Sequence, residues 1–178
     1  TISNNYIYGV VNEHTFTTTG INVYGGTVSN NIINLNASLT GNTRGISKVN
    51  SGTTNLYFNT VVIGGSVSSG ATNSYALFDN RFDSRDYRNN IFVNNTTNTG
   101  TATGKHYAIS LTSSPATIDN NNYYVSGTGG VLGSFNNVDK ATLGEWKAST
   151  TRDCFSTSLS PGFPTPSGVL TSNFLPTQ

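Results

Sequence analysis

One six-residue pattern recurs five times along this chain: an apolar residue, any residue, asparagine or a substitute, asparagine, any residue, and a second apolar residue. Its first copy is Ile2-Ser3-Asn4-Asn5-Tyr6-Ile7. The second asparagines of the five copies are 26, 28, 31 and 31 residues apart, at Asn5, Asn31, Asn59, Asn90 and Asn121. Self-similarity at a period of this size is the signature of a repeat protein. The chain must therefore fold as a stack of similar units.

The residues that flank these asparagines favour strands. All ten flanking positions are apolar or aromatic, and most are β-branched or aromatic, the types that suit a pleated, half-buried surface. Asparagine tolerates the left-handed backbone conformation that a tight bend requires. Each copy is therefore predicted to form two short strands joined by a corner. The flanking residues are Ile2, Val28, Leu56, Tyr87 and Ile118 before the corner, and Ile7, Ile33, Val61, Phe92 and Tyr123 after it.

A second apolar phrase follows the first in four of the copies and supplies a third strand, as in Gly20-Ile21-Asn22-Val23 and Tyr75-Ala76-Leu77-Phe78. Three short strands in each period predict one coil of a right-handed parallel β-helix, and the chain holds about five such coils. The alternative fold is an antiparallel β-sandwich, in which neighbouring strands would run in opposite directions.

Stacked coils explain why the pattern is repeated. In a parallel β-helix each residue lies about 4.8 Å above its counterpart in the coil below, so that like residues stack on like. The apolar positions are then expected to form interior columns. The five asparagines, Asn5, Asn31, Asn59, Asn90 and Asn121, are expected to form a structural ladder in which each amide binds the next. No coil buries its inward face alone, so stability is shared between neighbours.

The composition excludes some kinds of partner. Charged residues make up 10% of the chain, and its net charge is +1. A near-neutral chain offers no electrostatic surface for nucleic acid, whose binding depends on phosphate contacts. The sequence also contains no run of 18 apolar residues. We therefore expect no nucleic-acid partner and no membrane insertion.

The repeat pattern of the sequence ends near Gly127. Residues 1–127 are predicted to be the coils, and residues 128–178 a C-terminal capping segment of the same domain. Within that segment, residues 139–147 are predicted to be a short helix with Asp139 as its N-cap and with Leu143 and Trp146 on one face. The Pro-rich stretch 160–166 is rigid and non-helical. The helix and this Pro-rich cap are expected to cover the end or the flank of the last coil.

The N-terminal end shows no such cap, because Ile2 begins a strand phrase at once. An uncovered strand edge invites pairing with another strand. We expect this first rung to pair with neighbouring domains or coils of a larger parent chain, or with a second copy of the chain. No basic-then-apolar leader stands at Thr1, which indicates either a mature secreted chain or a piece of a longer one.

The densest polar cluster lies between the third and fourth copies and supplies the candidate site residues Asp79, Arg81, Asp83, Arg85 and Asp86. Several carboxylates can hold calcium beside a basic residue, and a pair of carboxylic acids can hydrolyse glycosidic bonds. These carboxylates belong to one loop, however, and the residues stacked above and below them are Asn, Ser and Thr. The favoured interpretation is a solvated loop whose charges pair with one another. No metal and no cofactor are expected.

Other chemically capable residues stand alone. Cys154 has no motif around it and is expected to be a small buried hydrophobe. His106 and the Glu13-His14 pair lack the spacing of a metal site or a catalytic triad and are expected on surface loops. Asp119 is expected to be a turn residue. The tyrosines, such as Tyr6 and Tyr8, are expected to shield the core, with a stacking surface for sugar rings as the alternative.

The chain resembles the right-handed parallel β-helix repeat proteins of pectate-lyase-like architecture that occur within large secreted bacterial surface proteins. The resemblance rests on the asparagine phrases and on segments such as Tyr87–Asn94, Gly104–Ile109 and Thr142–Trp146, and it covers most of the chain. It implies an exported, extracellular chain, of a kind that is often part of a multi-domain parent. It implies no catalytic residues.

The sequence therefore predicts a non-catalytic extracellular module with a structural or adhesive role that associates end to end through its open N-terminal rung. The alternative is a β-helix module that binds or degrades polysaccharide, with carbohydrate as its partner. A fold alone does not decide between them. Convergence of carboxylates from several coils on one groove would favour the enzyme.

Overall fold

The fold is an all-β parallel solenoid with one short C-terminal helix. We describe it from a computed structural model at residues 1–9, 15–38 and 40–163. All but one of the paired strands in these ranges run parallel, and the exception joins the last two strands. The expected fold class is therefore confirmed, and the antiparallel sandwich is excluded.

The strands follow one another in a repeating order. In chain order they are β1 (Ile2–Ser3), β2 (Tyr6–Tyr8), β3 (Thr18–Val23), β4 (Gly26–Ser29), β5 (Ile32–Ser38), β6 (Thr43–Lys48), β7 (Thr54–Tyr57), β8 (Thr60–Val67), β9 (Ser74–Asp79), β10 (Arg85–Arg88), β11 (Ile91–Asn94), β12 (Thr97–Asn98), β13 (His106–Leu111), β14 (Thr117–Asp119), β15 (Asn122–Val125), β16 (Gly130–Phe135) and β17 (Val138–Lys140). The helix, α1, spans Leu143–Thr150.

These strands form three sheets that wrap around one core. Sheet A has the order β1-β4-β7-β10-β14, sheet B the order β2-β5-β8-β11-β15 with β12 beside β8, and sheet C the order β3-β6-β9-β13-β16-β17. About five coils are expected from the sequence. Three windings, from β4 to β13, have a neighbour on both sides, and the first and last groups of strands form the two ends of the stack.

The register follows the asparagine pattern. Val28 pairs with Leu56, and Leu56 with Tyr87 in sheet A, while Ile33 pairs with Val61, and Val61 with Phe92 in sheet B. These residues are at most 1% exposed. The predicted columns of apolar residues therefore form the core, in which each winding covers the apolar face of the next.

The corner between sheets A and B is made by a left-handed residue in each repeat. We call these residues the corner column: Asn4, Asn30, Phe58, Asn89 and Asn120, with φ values of 59°, 55°, 56°, 59° and 56°. Asparagine adopts this conformation at low cost, because its short polar side chain can bond locally. Phe58 is the exception, since a bulky residue at positive φ is a genuine outlier.

The C-terminal end is closed by a cap. β17 pairs antiparallel with β16, and Trp146 of α1 is 0% exposed, with its ring 6.0 Å from the ring of Tyr123 in the last winding. Asp139 lies in β17 and does not cap the helix as expected. Thr142 is the N-cap and forms a capping box with Glu145, which satisfies two backbone N–H groups at once.

The predicted boundary between coils and cap, at Gly127, lies just before β16. β16 still belongs to sheet C, so the parallel strands continue to Phe135. Beyond the helix, Phe163 packs against Val62 and Val93 on the outer face of sheet B. The rest of the Pro-rich cap, from Pro164 to Gln178, lies outside the described residues, as do Glu13 and His14. In the described part of the chain, no helix has the length and apolarity to cross a membrane.

Small residues at one interior position of sheet C allow the sheets to approach closely. A Cβ at Gly45 would lie 2.2 Å from Cγ1 of Val61 and 2.7 Å from the carbonyl oxygen of Ala76. We expect Gly45→Ala to lower the free energy of unfolding by about 1–3 kcal/mol, because it overpacks the core. Urea denaturation measures the change.

The matched control is Gly144→Ala in α1. A Cβ at Gly144 meets nothing closer than Oγ1 of Thr142 at 3.9 Å. Alanine is the better helix former, so this variant is expected to gain about 0.5–1 kcal/mol. An equal loss in both variants would show that Gly45 is not needed for close packing.

Candidate functional site

The five asparagines of the repeat form one continuous hydrogen-bonded ladder. Nδ2 of Asn5 donates to Oδ1 of Asn31 at 2.9 Å, and the same bond recurs from Asn31 to Asn59, from Asn59 to Asn90 and from Asn90 to Asn121 at 2.9–3.0 Å. Each Oδ1 also accepts the backbone N–H of the preceding asparagine. One oxygen thus joins two donors of the neighbouring winding, which fixes the register.

The ladder has a direction, and its two ends differ. At the C-terminal end, the backbone N–H of Asn121 donates to Oγ of Ser156 at 2.8 Å. Ser156 thus takes the place of a further asparagine. At the N-terminal end Asn5 is exposed, and among the described residues no donor reaches its Oδ1. A further rung at this end would have to bring an N–H donor to that oxygen.

The acidic and basic residues singled out in the sequence form a buried corner between sheets C and A. The expected solvated loop is wrong for its two central residues, since Asp79 and Arg85 are each 1% exposed. Nη1 of Arg85 lies 2.6 Å from Oδ2 of Asp79. Oδ2 also accepts from the hydroxyl of Tyr87 at 2.9 Å. Burial, reinforced by the charge of Asp79, raises the pKa of Tyr87 well above its usual value.

Arg85 is held from all sides. It donates to the backbone carbonyls of Arg81, Asp83, Ser113 and Ser114 at 2.5–3.2 Å and to Oγ of Ser113 at 2.7 Å. Five N–H groups in a planar fork can satisfy this many acceptors, which a lysine cannot do. Arg85 therefore ties one corner loop to the loop of the next winding.

The remaining members of the cluster also have partners, and these differ from one carboxylate to the next. Asp83 lies 3.5 Å from Nζ of the buried Lys48, and Asp86 lies 2.7 Å from Nη2 of Arg88. Asp86 also accepts from the hydroxyl of Tyr57 at 2.9 Å. Nη2 of Arg81 donates to Oγ of Ser51 at 2.8 Å. The three carboxylates are thus spread over three ion pairs and do not converge on one point.

His106 is a buried structural residue, not the surface loop residue expected from the sequence. It is 0% exposed in β13, and its Nδ1 and Nε2 lie 2.9 Å from Oγ of Ser74 and 2.8 Å from Oδ1 of Asn98. Nδ2 of Asn98 donates to the carbonyl of Gly104, which turns Oδ1 toward the ring. The network therefore places the proton on Nε2. Burial lowers the pKa of His106 to about 4.

A second buried network anchors the cap. Asp153 is 1% exposed and accepts from Nε1 of Trp146 at 2.7 Å, from the hydroxyl of Tyr123 at 3.0 Å and from Oγ of Ser156. Burial raises the pKa of Asp153 and that of Tyr123. Asp153 thus joins the last winding, the helix and the end of the ladder. The sequence signal for that role is the spacing of Asp153, Ser156, Pro161 and Phe163, which resembles a segment that closes parallel β-helices.

The other isolated residues of the sequence analysis are Cys154, Asp119, Tyr6 and Tyr8. Cys154 is exposed, so the prediction of a small buried hydrophobe is wrong. Asp119 stands at the corner between β14 and β15, and its Oδ1 accepts the backbone N–H groups of Asn120 and Phe155 at 2.9 and 2.7 Å. It thus connects the last corner to the capping segment. Tyr6 and Tyr8 stack on each other, with ring centroids 4.8 Å apart.

An open cleft lies along the same corner. Its volume is about 320 Å³, and its walls include Asn89, Asn120, Asn122, Phe155 and Thr157. In the described residues, no group of three or more His, Cys, Asp or Glu side chains could hold a metal ion. The polar side chains that line the cleft are asparagine amides and the hydroxyl of Thr157.

Comparison with known proteins finds no match: no family model, no curated protein and no solved structure matches the chain.

The ladder is expected to contribute most in its buried part. Asn59→Ala removes the acceptor for two donors of Asn31 and the donor for Oδ1 of Asn90 and the carbonyl of Val28. Buried partners left unpaired cost about 1–3 kcal/mol each, so we expect a loss of about 3 kcal/mol in the free energy of unfolding, measured by urea denaturation.

Asn5→Ala at the exposed end is the control, with an expected loss below about 1 kcal/mol, because water replaces the missing bonds. Equal losses at the two positions would contradict a role for the ladder in the interior.

His106 predicts a specific dependence of stability on pH. Its pKa is about 4 in the folded chain and about 6.5 when unfolded, so the unfolded state binds the proton more readily. The stability that the neutral ring provides is fully present above pH 6.5 and is lost as pH falls toward 4. We expect wild type to lose stability relative to His106→Gln across this window, as measured by urea denaturation at several pH values. Parallel curves would contradict the assignment.

Proposed function

We propose that this chain is a non-catalytic structural module of an extracellular protein, which joins further β-helical coils or a second copy of itself through its N-terminal rung. The observation that carries the proposal is the difference between the two ends of the ladder. Ser156 and the cap occupy the C-terminal end, whereas Oδ1 of Asn5 offers an open acceptor at the other end.

The N-terminal rung has the chemistry of an interface between coils. β1, β2 and β3 each pair with a strand on one side only. Ile2 is 37% exposed at this edge, and Ile7 packs against the core. A partner coil would cover both residues, extend the three sheets and donate to Asn5, as the inner windings do for one another.

The polar chemistry of the chain supports a structural role rather than a reaction centre. The candidate residues Asp79, Asp83 and Asp86 each belong to a different ion pair, and the first of these is buried. An enzyme that degrades acidic polysaccharide would need carboxylates from successive coils to meet in one groove. Here the carboxylates hold corner loops in place. An exported location is supported by the low charge and by the family resemblance of the repeats.

Association through this rung is tested by charge. Ile2→Lys places an ammonium group on the β1 edge, where a partner strand would bury it. We expect wild type to form dimers or longer particles in light scattering and electron microscopy, and Ile2→Lys to be monomeric. Charged residues on strand edges are a common barrier to such pairing.

The control is Val138→Lys on β17, which is 56% exposed at the capped end. This variant is expected to associate as wild type does, because β17 pairs antiparallel with β16 and does not continue the parallel stack. A monomeric wild type, or particles of unchanged mass in Ile2→Lys, would contradict self-association through the N-terminal rung.

A further inference from the structure

We propose that the corner between sheets A and B binds a neutral, hydroxyl-rich glycan chain that lies along the axis of the solenoid. The contacts come from Phe58 and Phe155, which flank the amides of Asn89 and Asn120. This site is separate from the N-terminal rung, so the binding and the association described above stand or fall independently.

The four residues lie in one line. Tyr57 pairs with Arg88 and Thr60 with Ile91, which sets Phe58 beside Asn89. Arg88 pairs with Asp119 and Ile91 with Asn122, which sets Asn89 beside Asn120.

Asn122 bridges to Thr157 in the capping segment, so Phe155 continues the line one rung beyond Asn120. Two aromatic rings therefore flank two amides over four rungs, whose three spacings add up to roughly 14 Å.

Phe58 is retained at this place against its backbone preference. Its φ is 56°, and the other four members of the corner column are asparagines. Its side chain is 60% exposed, so packing in the core does not compensate for the strain. Strain of this kind persists at sites where the side chain has a function. A single exposed aromatic residue needs no explanation. The indication of a site is that Phe58, with its strained backbone, lies in the same line as Phe155.

Phe155 is held as a second platform. It is 76% exposed, while its backbone N–H donates to Oδ1 of Asp119 at 2.7 Å. The adjoining wall is fixed by Asn122, whose Oδ1 accepts from Oγ1 of Thr157 and the N–H of Leu159 at 3.0 Å. The ring therefore faces solvent from a rigid support beside the cleft of about 320 Å³.

The amides select the chemistry of the ligand. Asn89 and Asn120 are exposed, and within the described part of the chain neither side chain is hydrogen-bonded to another residue. A primary amide both donates and accepts, which matches a hydroxyl group that does the same. Aromatic faces pack against the apolar faces of sugar rings while the hydroxyls stay free for the amides.

The charge near the cleft favours a neutral ligand over an anionic one. No lysine or arginine is among the described residues that line the cleft, and the guanidinium of Arg88 pairs with Asp86. The carboxylate of Asp119 lies between the cap and the last corner. The cations beside this line are already engaged, Arg88 with Asp86 and Lys147 with the carbonyls of Cys154 and Ser156, so a uronate or phosphate would gain no free cation, whereas a neutral hexose or pentose chain needs none.

The experiment is a titration of the isotope-labelled chain with cellohexaose, xylohexaose, mannohexaose and chitohexaose, followed by NMR of the side-chain amides. We expect at least one of these probes to shift the signals of Asn89 and Asn120 in a saturable manner. Trigalacturonate, as the anionic probe, is expected to leave them unchanged. The absence of a shift with all four neutral probes, or a stronger response to trigalacturonate, overturns the proposal.

Phe58→Asn is the variant that separates binding from folding. It gives the third corner the residue found at the other four, so its melting temperature is expected to equal or exceed that of wild type. Its affinity for the bound probe is expected to fall about tenfold, because one stacking platform is lost. Phe155→Ala tests the second platform in the same way. Phe82→Ala, at a residue 76% exposed on another corner, is the matched control and is expected to bind as wild type.

Either of two results with these variants would also overturn the proposal. The first is wild-type affinity in both Phe58→Asn and Phe155→Ala. The second is a lower melting temperature in Phe58→Asn, since it would remove the evidence that Phe58 is strained in the corner column.

Discussion

The structure depends on the hydrogen bond that each ladder asparagine gives to the next. Because one Oδ1 accepts both the side-chain and the backbone N–H of the neighbouring asparagine, a shift of one residue between windings would break two buried bonds at once. The apolar columns define the register less sharply than these hydrogen bonds do, since hydrophobic contact is not directional. Register is therefore set by polar groups, and the apolar residues provide the main stabilisation.

The same principle explains the other buried polar residues. Asp79 with Arg85, Ser74 with His106, and Asp153 with Trp146 each lie where the chain leaves one sheet or the last winding ends. At these places the regular ladder of backbone bonds is interrupted, and a side chain must satisfy the carbonyls and N–H groups of a loop. Each network is nearly complete, as low local dielectric requires. Charged and polar side chains thus stabilise the corners of the solenoid.

Much of the fold could be predicted from the sequence, because stacking makes the chemistry of each winding visible as a repeat. The strands, the corners and the parallel class follow from residues such as Asn31 and Ile33. The places where the sequence misleads are those that occur once. Asp79, His106 and Cys154 carry no periodic signal, so whether each is buried or exposed depends on surroundings that differ from winding to winding. The predicted N-cap of the helix, Asp139, is wrong because β17 is too short to give a sequence pattern of its own.

The capping residues follow the windings in the chain, and this order affects how the protein is made. Synthesis releases the windings first, and Trp146 and Asp153 reach the core only after the ribosome has translated all of the described windings. Until then, the C-terminal end of the growing stack presents unpaired strand edges, the state in which repeat proteins aggregate or misassemble. A chaperone would therefore have most to protect during translation, before the cap has packed onto the last winding.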